Sequence, residues 1–249
     1  MFTARPKNLE QLERTLLREK GWRYLRYLHL REGFLAATAA QPIETVHCLG
    51  AGKAYAEVAL ALEFPEVRFH ITDVETERTP NYQVAQGWVR KLGLSNVTFG
   101  TLDIFRPPSE TWDLVTSVET LEHLEDDVTA AANMLSMANR FVFALIPFSD
   151  DAANADPVRR ERVWKNHEHY RVGYDEKRLR ELFPGATAIR GCYFKDAGHA
   201  LRLDLAEMDP ETIDRDAEAL IARARADVRD EIPKTLRDAL GIWVLAAAG

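Results

Sequence analysis

The first forty residues carry apolar side chains at every third or fourth position, which is the spacing of an amphipathic helix. The first apolar stripe consists of Leu9, Leu12, Leu16 and Leu17. Gly21 interrupts the pattern, and Leu25 and Leu28 belong to a second stripe. The pattern predicts helices over residues 8–40, and we assign residues 1–40 to a helical N-terminal extension.

From residue 45 onward, short apolar runs alternate with stretches of helical spacing. The apolar runs are "TVHCLG", "VRFHITDV", "NVTFGTLDI", "WDLVTSV" and "RFVFALIPF". Between them lie helical patterns such as "YQVAQGWVRKLG" and "VTAAANMLSM". This alternation predicts a mostly parallel sheet with helices on both faces. We therefore predict a doubly wound, Rossmann-like α/β domain over residues 41–249.

The later part of the chain is less regular. Residues 148–172 are polar and irregular, and they follow the end of the strand "RFVFALIP", where open α/β sheets bind ligands, so they are a candidate lid. "ATAIRGCYF" and "GIWVLAAA" suit two more strands, giving about seven strands in all. The charged residues 209–238 predict a solvated amphipathic helical insertion.

Composition narrows the class of protein. The net charge is −7 and the pI is about 5.6, so no overall basic field favours nucleic acid or an anionic membrane. No run of eighteen apolar residues and no signal-peptide pattern is present. The two cysteines, Cys48 and Cys192, lie in apolar strand-like segments and suit buried free thiols. We expect a soluble cytoplasmic protein, whose oligomeric state the sequence leaves open.

A glycine turn joins the first predicted strand to the first helix of the sheet domain. Gly50 and Gly52 in "CLGAGKA" allow unusual dihedrals and close approach of a ligand to backbone N–H groups. A dinucleotide fingerprint would need glycine where Tyr55 stands. A triphosphate-binding loop would need glycine at His47 and serine or threonine at Ala54. Neither alternative fits the residues present.

Acidic residues end the next two predicted strands. Asp73 lies 23 positions after Gly50, where a carboxylate can accept hydrogen bonds from ribose hydroxyls. Asp103 ends the following strand, where its carboxylate can accept a hydrogen bond from an exocyclic amine while Ile104 packs on the base. Because the ends of these strands line one crevice, they predict an adenosine-containing ligand.

Together these features resemble the class I S-adenosylmethionine-dependent methyltransferases, from about Glu44 to Phe148. The matching features are Gly50-Ala51-Gly52, the acids Asp73 and Asp103, and the strand-four segment "WDLVTSVETLEHLED". The resemblance implies that S-adenosylmethionine is bound by Gly50, Ala51, Gly52, Asp73, Val74, Asp103, Ile104 and Val118. Two departures are Cys48, in place of the usual acid two residues before the first glycine, and Ala54, in place of a third glycine.

Candidate catalytic residues follow the fourth and fifth strands. Glu119, Glu122 and His123 are spaced to share one helix face near the cofactor's methyl end. His167 and His169 can reach the same crevice from the segment after strand five. We assign His123, His169 and Glu122 as catalytic candidates.

Two chemical interpretations of these residues remain open. In one, a histidine is the general base for a hydroxyl or amine acceptor. In the other, Glu119, Glu122, His123 and a later histidine bind a divalent metal, since the E-x-x-E-H spacing is similar to that of metal-dependent O-methyltransferases of this fold. Many relatives carry a Glu-His pair here without metal, so the sequence does not favour the metal.

The sequence as a whole predicts methyl transfer from S-adenosylmethionine to a small-molecule acceptor, at oxygen. The alternatives are a non-catalytic cofactor-binding or interaction protein, which Cys48 and Ala54 keep open, and a nicotinamide-dependent oxidoreductase, which Tyr55 disfavours. The acidic pI counts against an RNA 2′-O-methyltransferase.

Overall fold

The computed structural model describes residues 7–18, 21–74, 80–196, 198–231 and 234–249. The structure therefore describes the predicted N-terminal extension, residues 1–40, with the exception of residues 1–6 and 19–20. Within the described parts, no helix combines the length and the apolar character that crossing a membrane requires.

A single seven-stranded sheet organises the chain. Its strands are β1 (Thr45–Leu49), β2 (Arg68–Asp73), β3 (Val97–Thr101), β4 (Trp112–Val118), β5 (Ala138–Pro147), β6 (Ala186–Cys192) and β7 (Gly241–Ala247). The spatial order is β3-β2-β1-β4-β5-β7-β6. The first five strands are parallel, and β7 is antiparallel to both of its neighbours. The predicted doubly wound, Rossmann-like sheet is confirmed.

Eleven α-helices lie in the described parts of the chain. They are α1 (Lys7–Arg18), α2 (Trp22–Ala40), α3 (Tyr55–Glu63), α4 (Pro80–Leu92), α5 (Asp127–Met137), α6 (Asp151–Ala155), α7 (Pro157–His167), α8 (Glu176–Leu182), α9 (Gly198–Glu207), α10 (Pro210–Arg215) and α11 (Ala217–Glu231). Two 3₁₀ turns, Leu121–His123 and Leu236–Asp238, complete the regular structure there.

The sheet separates two hydrophobic cores. Along β5, Val142 and Ala144 face the core beneath α5 and α8, whereas Phe143 and Leu145 face the core beneath α1–α4 and α9–α11. Because successive side chains of a strand point to opposite faces, this alternation covers the sheet on both sides. The carboxyl ends of the parallel strands are thereby held at one edge, where the candidate site lies.

Residues 151–167 are helical rather than irregular as the sequence predicted. Asp150 caps α6 by accepting a hydrogen bond from the Ala153 N–H at 2.8 Å, and Asp156 caps α7 by accepting from Val158 N–H at 2.9 Å. Pro157 in the first turn of α7 suits a helix start. No residue of α7 is buried, so the helix has no apolar stripe and its periodicity is absent from the sequence.

Candidate functional site

The glycine turn between β1 and α3 adopts a conformation that requires glycine. Gly50 has φ +61° and Gly52 has φ +50°, both in the left-handed region. A Cβ on Gly50 would overlap the side chain of Thr120. Ala54, the position of the missing third glycine, takes φ 49° as alanine. The turn therefore keeps its left-handed geometry at position 54 without glycine.

A cavity of about 260 Å³ opens beneath this turn, and we call it the glycine-loop cavity. Its lining consists of Arg23, Arg26, residues 50–57, Val118 and Glu119. Two arginines and Lys53 supply positive charge, and Glu57 and Glu119 supply negative charge. A lining with both signs of charge is complementary to a zwitterion such as an amino acid.

Glu57 is a buried carboxylate in the lining of the glycine-loop cavity, whereas Cys48, at the position of the usual acid of strand one, is not in that lining. Cys48 is buried in the core, and its thiol pKa is raised by burial and then by the nearby Glu57 carboxylate. Glu57, by contrast, lines the glycine-loop cavity from α3. Burial raises the Glu57 pKa to about 7, against the opposing effects of a backbone hydrogen bond and of Arg26. The sequence signal for this position is an acid within the apolar run of "YAEVALALE", whose other acid, Glu63, ends the helix.

Asp73, at the end of β2, ties the glycine turn to the sheet. Its carboxylate accepts hydrogen bonds from the Gly52 N–H at 2.8 Å and from the Val74 N–H at 2.7 Å. The Val74 side chain is 60% exposed beside it. An apolar surface next to a half-buried carboxylate is available to a ligand at this strand end.

Asp103 and Ile104 follow the neighbouring strand, β3. The Asp103 carboxylate accepts a hydrogen bond from the Phe105 N–H at 3.0 Å, and Ile104 is half-buried against the core of α5. These two residues, with Asp73 and Val74, lie outside the lining of the glycine-loop cavity, whereas Gly50, Ala51, Gly52 and Val118 belong to it. The predicted cofactor residues thus form two groups along adjacent strand ends.

The segment after β4 does not form the helix face that the sequence predicted for Glu119, Glu122 and His123. Glu119 has φ 54°, and only Leu121–His123 form a 3₁₀ turn. Glu119 turns toward α2 and pairs with Arg26 at 2.5 Å. Within this turn Glu122 is buried and His123 is exposed.

Glu122, His123 and His169 are nevertheless close together. One side-chain oxygen or nitrogen of each lies within 4.8 Å of those of the other two, and the imidazole centroids of His123 and His169 are 4.5 Å apart. Both carboxylate oxygens of Glu122 are buried, and neither has a hydrogen-bond partner among the residues that the structure describes. Burial, and next the charge of Glu119, raise the Glu122 pKa well above its ordinary value. An unpartnered buried carboxylate beside two imidazoles is a site for a proton or a cation.

Backbone and ionic contacts hold His169 beside Glu122. The Tyr170 N–H donates to the Glu122 carbonyl at 2.8 Å, and the Tyr174 hydroxyl donates to the Leu121 carbonyl at 3.1 Å. The buried Asp127 pairs with Arg171 at 2.6 Å and with Arg178 at 2.7 Å. These contacts fix the segment after α7 against the start of α5.

A second cavity, of about 490 Å³, lies beside the first, and we call it the histidine cavity. Its lining consists of Arg26, Glu119, His123, Pro147, His167, His169, Tyr193, Arg202 and Leu240. Arg26 and Glu119 line both cavities. Burial, then His123, His167 and Arg26, lower the His169 pKa to about 4, so its imidazole is neutral at neutral pH.

The backbone of Tyr193 is held in a left-handed conformation at this cavity, with φ 58°. The buried Glu231 carboxylate of α11 accepts hydrogen bonds from the Tyr193 N–H at 3.1 Å and the Phe194 N–H at 3.0 Å. His29 lies 3.3 Å from Glu231, and its ring packs edge-on against Tyr193. No motif in the sequence points to Tyr193, because its position depends on contacts with distant helices.

The sequence matches no protein-family profile and no curated protein. Solved structures do match the fold. A candidate sarcosine dimethylglycine methyltransferase from Galdieria sulphuraria aligns over 92% of this chain and 85% of its own, with TM-score 0.60 and 14% identity. A magnesium protoporphyrin IX methyltransferase from Synechocystis aligns over 91% and 84%, with TM-score 0.55 and 13% identity.

The cyclase SpnF has a similar structure as well, with TM-score 0.56 and 16% identity over 87% of this chain and 80% of its own. The chain therefore has the class I methyltransferase fold. The presence of a cyclase among structures of this fold means that the reaction has to be argued from the site.

Proposed function

We propose that this protein is an S-adenosylmethionine-dependent methyltransferase that acts on a hydroxyl group of a small-molecule acceptor. The observation that carries the proposal is the junction of the two cavities at Arg26 and Glu119. One cavity lies beneath a left-handed glycine turn and presents both signs of charge, and the other presents three histidines. A cofactor in the first cavity would direct its reactive end toward the second.

The residues present have distinct tasks in this proposal. Bound S-adenosylmethionine would supply an electrophilic methyl group, which leaves alignment and proton removal to the protein. Asp73 would accept hydrogen bonds from the ribose hydroxyls, and Asp103 from the exocyclic amine of the base. Arg23, Arg26 and Lys53 would bind the amino-acid carboxylate, and Glu57 its ammonium group. His169 would accept the acceptor's hydroxyl proton on an imidazole nitrogen, because its ring is neutral at neutral pH.

A metal-assisted form of the same reaction has a specific observation in its favour. The Glu122 carboxylate lies beside the His123 and His169 imidazoles, and both of its oxygens are buried with no hydrogen-bond partner in the described parts of the chain. One carboxylate and two imidazoles suit a divalent cation such as Zn²⁺ or Mn²⁺, with coordination positions left for a substrate. These three residues would hold the metal, which would polarise an acceptor hydroxyl. Glu119 is also a candidate metal ligand from the sequence, but its carboxylate pairs with Arg26.

Calorimetric titration with S-adenosylhomocysteine tests the proposed function. We expect binding by the unmodified protein and a loss of about 1.5–3 kcal/mol of binding free energy in Asp73→Ala, because charge-assisted hydrogen bonds to the ribose disappear. Asp73→Asn is the matched variant, since its amide oxygen can still accept the Gly52 N–H. If only Asp73→Ala loses affinity, Asp73 supports the turn rather than the ribose.

NAD and NADP are the controls for this titration. Binding of either in place of S-adenosylhomocysteine would contradict the proposal in favour of an oxidoreductase. Binding of S-adenosylhomocysteine without turnover of S-adenosylmethionine on a broad acceptor panel would favour the non-catalytic alternative.

The raised pKa of Glu57 predicts how the affinity for the cofactor depends on pH. If its carboxylate binds the ammonium group, affinity for S-adenosylhomocysteine rises as pH increases through about 7, because Glu57 ionises there. Glu57→Gln should flatten this dependence between pH 6 and 8. The sign for stability is opposite: a carboxyl with a raised folded pKa favours folding at low pH, and this contribution is lost as pH rises through about 7. Calorimetry and thermal unfolding across this range measure both effects, and an unchanged slope in Glu57→Gln would remove Glu57 from the site.

A further inference from the structure

The histidine cavity has an excess of positive charge. Among the described residues of its lining, Arg26 and Arg202 carry guanidinium groups, and Glu119 carries a carboxylate. Glu119 pairs with Arg26, so this acid is already matched by a cation. The three imidazoles are either neutral or positively charged, so they add no negative charge.

Arg202 of α9 is the cation left over. It is half-buried and makes no ion pair or hydrogen bond with any residue that the structure describes. Its helix neighbour Asp204 pairs with Arg223 of α11 at 2.8 Å. Asp196, before α9, faces Lys234 at 3.3 Å. Asp204 and Asp196 are thus paired with other cations, and these cations, Arg223 and Lys234, lie outside the cavity lining.

A second group in the same lining lacks a partner. Tyr193 is 6% exposed, and its buried hydroxyl has no hydrogen-bond partner in the described parts of the chain. The Glu231 carboxylate holds the Tyr193 backbone in its left-handed conformation, which keeps the ring at the cavity wall. A buried hydroxyl without a partner is unfavourable unless a ligand supplies one.

We propose that the histidine cavity binds its acceptor through an anionic group, a carboxylate or a phosphate, held by Arg202 and Tyr193. A guanidinium group forms charge-assisted hydrogen bonds with either anion, and a phenol hydroxyl adds a donor. The cavity volume of about 490 Å³ accommodates a small organic acid. This inference rests on the proposed function only where it identifies the anionic ligand as the methyl acceptor.

Ligand-observed NMR with matched probes tests the inference on the full chain, both without added cofactor and in the presence of S-adenosylhomocysteine. The carboxylate probes are benzoate, phenylacetate and 3-phenylpropionate, each compared with its neutral carboxamide, and phenyl phosphate is compared with phenol. We expect at least one anion to bind about ten-fold or more tightly than its neutral partner. Whether the preferred anion is a carboxylate or phenyl phosphate identifies the group.

Two variants assign the effect to Arg202. Arg202→Gln should abolish the preference for the anion and leave S-adenosylhomocysteine affinity unchanged. Arg229→Gln is the matched control, because Arg229 is exposed on α11 and lies outside the cavity lining, and it should keep the preference. Equal binding of anion and neutral partner, no binding of any anion, or a preference that survives in Arg202→Gln would overturn the proposal.

The outcomes also separate this inference from the proposed function. Anion binding that depends on Arg202 in a protein that fails to bind S-adenosylhomocysteine would contradict the methyltransferase proposal and keep the anion site. Binding of S-adenosylhomocysteine without any preference for the anion would contradict the anion site and keep the methyltransferase proposal.

Discussion

Replacing His169 with alanine is expected to lower turnover by about 100-fold or more and to leave affinity for S-adenosylhomocysteine unchanged. His169 lines the histidine cavity and lies outside the lining of the glycine-loop cavity, so its loss removes a proton acceptor or a metal ligand from the acceptor side alone. The measurements are turnover of S-adenosylmethionine with an acceptor found by screening, and calorimetric titration of the variant with S-adenosylhomocysteine.

His167→Ala is the matched control for this experiment. His167 lines the same cavity, with its ring centroid 5.3 Å from that of His169, but it is outside the cluster with Glu122 and His123. We expect it to reduce turnover much less. Unchanged turnover in His169→Ala would exclude a catalytic role. Parallel loss of turnover, cofactor affinity and thermal stability would show that His169 holds the segment after α7 in place.

Removing a divalent metal is the second change with a large expected effect. If Glu122, His123 and His169 bind one, exhaustive chelation should lower turnover by about 100-fold or more, and adding back Zn²⁺ or Mn²⁺ should restore it. Glu122→Gln should weaken metal affinity by at least about 100-fold, since loss of outer-shell partners alone costs 10–100-fold in such sites. Calorimetric titration with each metal measures the affinity without requiring an acceptor.

Thermal unfolding gives an independent measurement of metal binding. A metal at 100 times its dissociation constant stabilises the folded state by about 2.7 kcal/mol. Glu122→Gln should lose this stabilisation, whereas Glu125→Gln, at an exposed carboxylate three positions further along the chain, should retain it. Full activity after chelation would contradict the metal-assisted form and leave His169 as a metal-free base.

The sheet and the glycine turn could be predicted from the sequence because their signals are local. Apolar runs of strand length alternate with helical spacing, and Gly50 and Gly52 lie between the first strand and helix. The same holds for Asp73 and Asp103, because the end of a parallel strand places its next residue at a known edge of the sheet. Cys48 and Ala54 departed from the expected motif, and the sequence could not show what replaces them.

Other residues of the two cavity linings come from outside that motif, and of these Arg26, Tyr193 and Arg202 are distant from it in the sequence. Glu57 lines the glycine-loop cavity from α3, and Arg26 reaches it from α2, whose packing against α3 no local pattern describes. Arg202 and Tyr193 reach the histidine cavity from the region between β6 and β7. Such placements depend on how helices dock on the sheet, which motif spacing does not encode.

Two errors have specific physical causes. The helix face expected after β4 does not form, because Glu119 takes a left-handed backbone conformation that a continuous helix does not permit. Helix α7 was missed because no residue in it is buried, although the cap Asp156 followed by Pro157 is a start signal in the sequence.

The ion pair between Arg26 and Glu119 makes occupancy of the two cavities interdependent. Both residues line both cavities, so a ligand group that draws either of them away changes the charge presented to the other ligand. By thermodynamic reciprocity, whatever factor the first ligand imposes on the affinity of the second, the second imposes on the first. The sign of this coupling depends on whether a ligand separates the pair or leaves it intact.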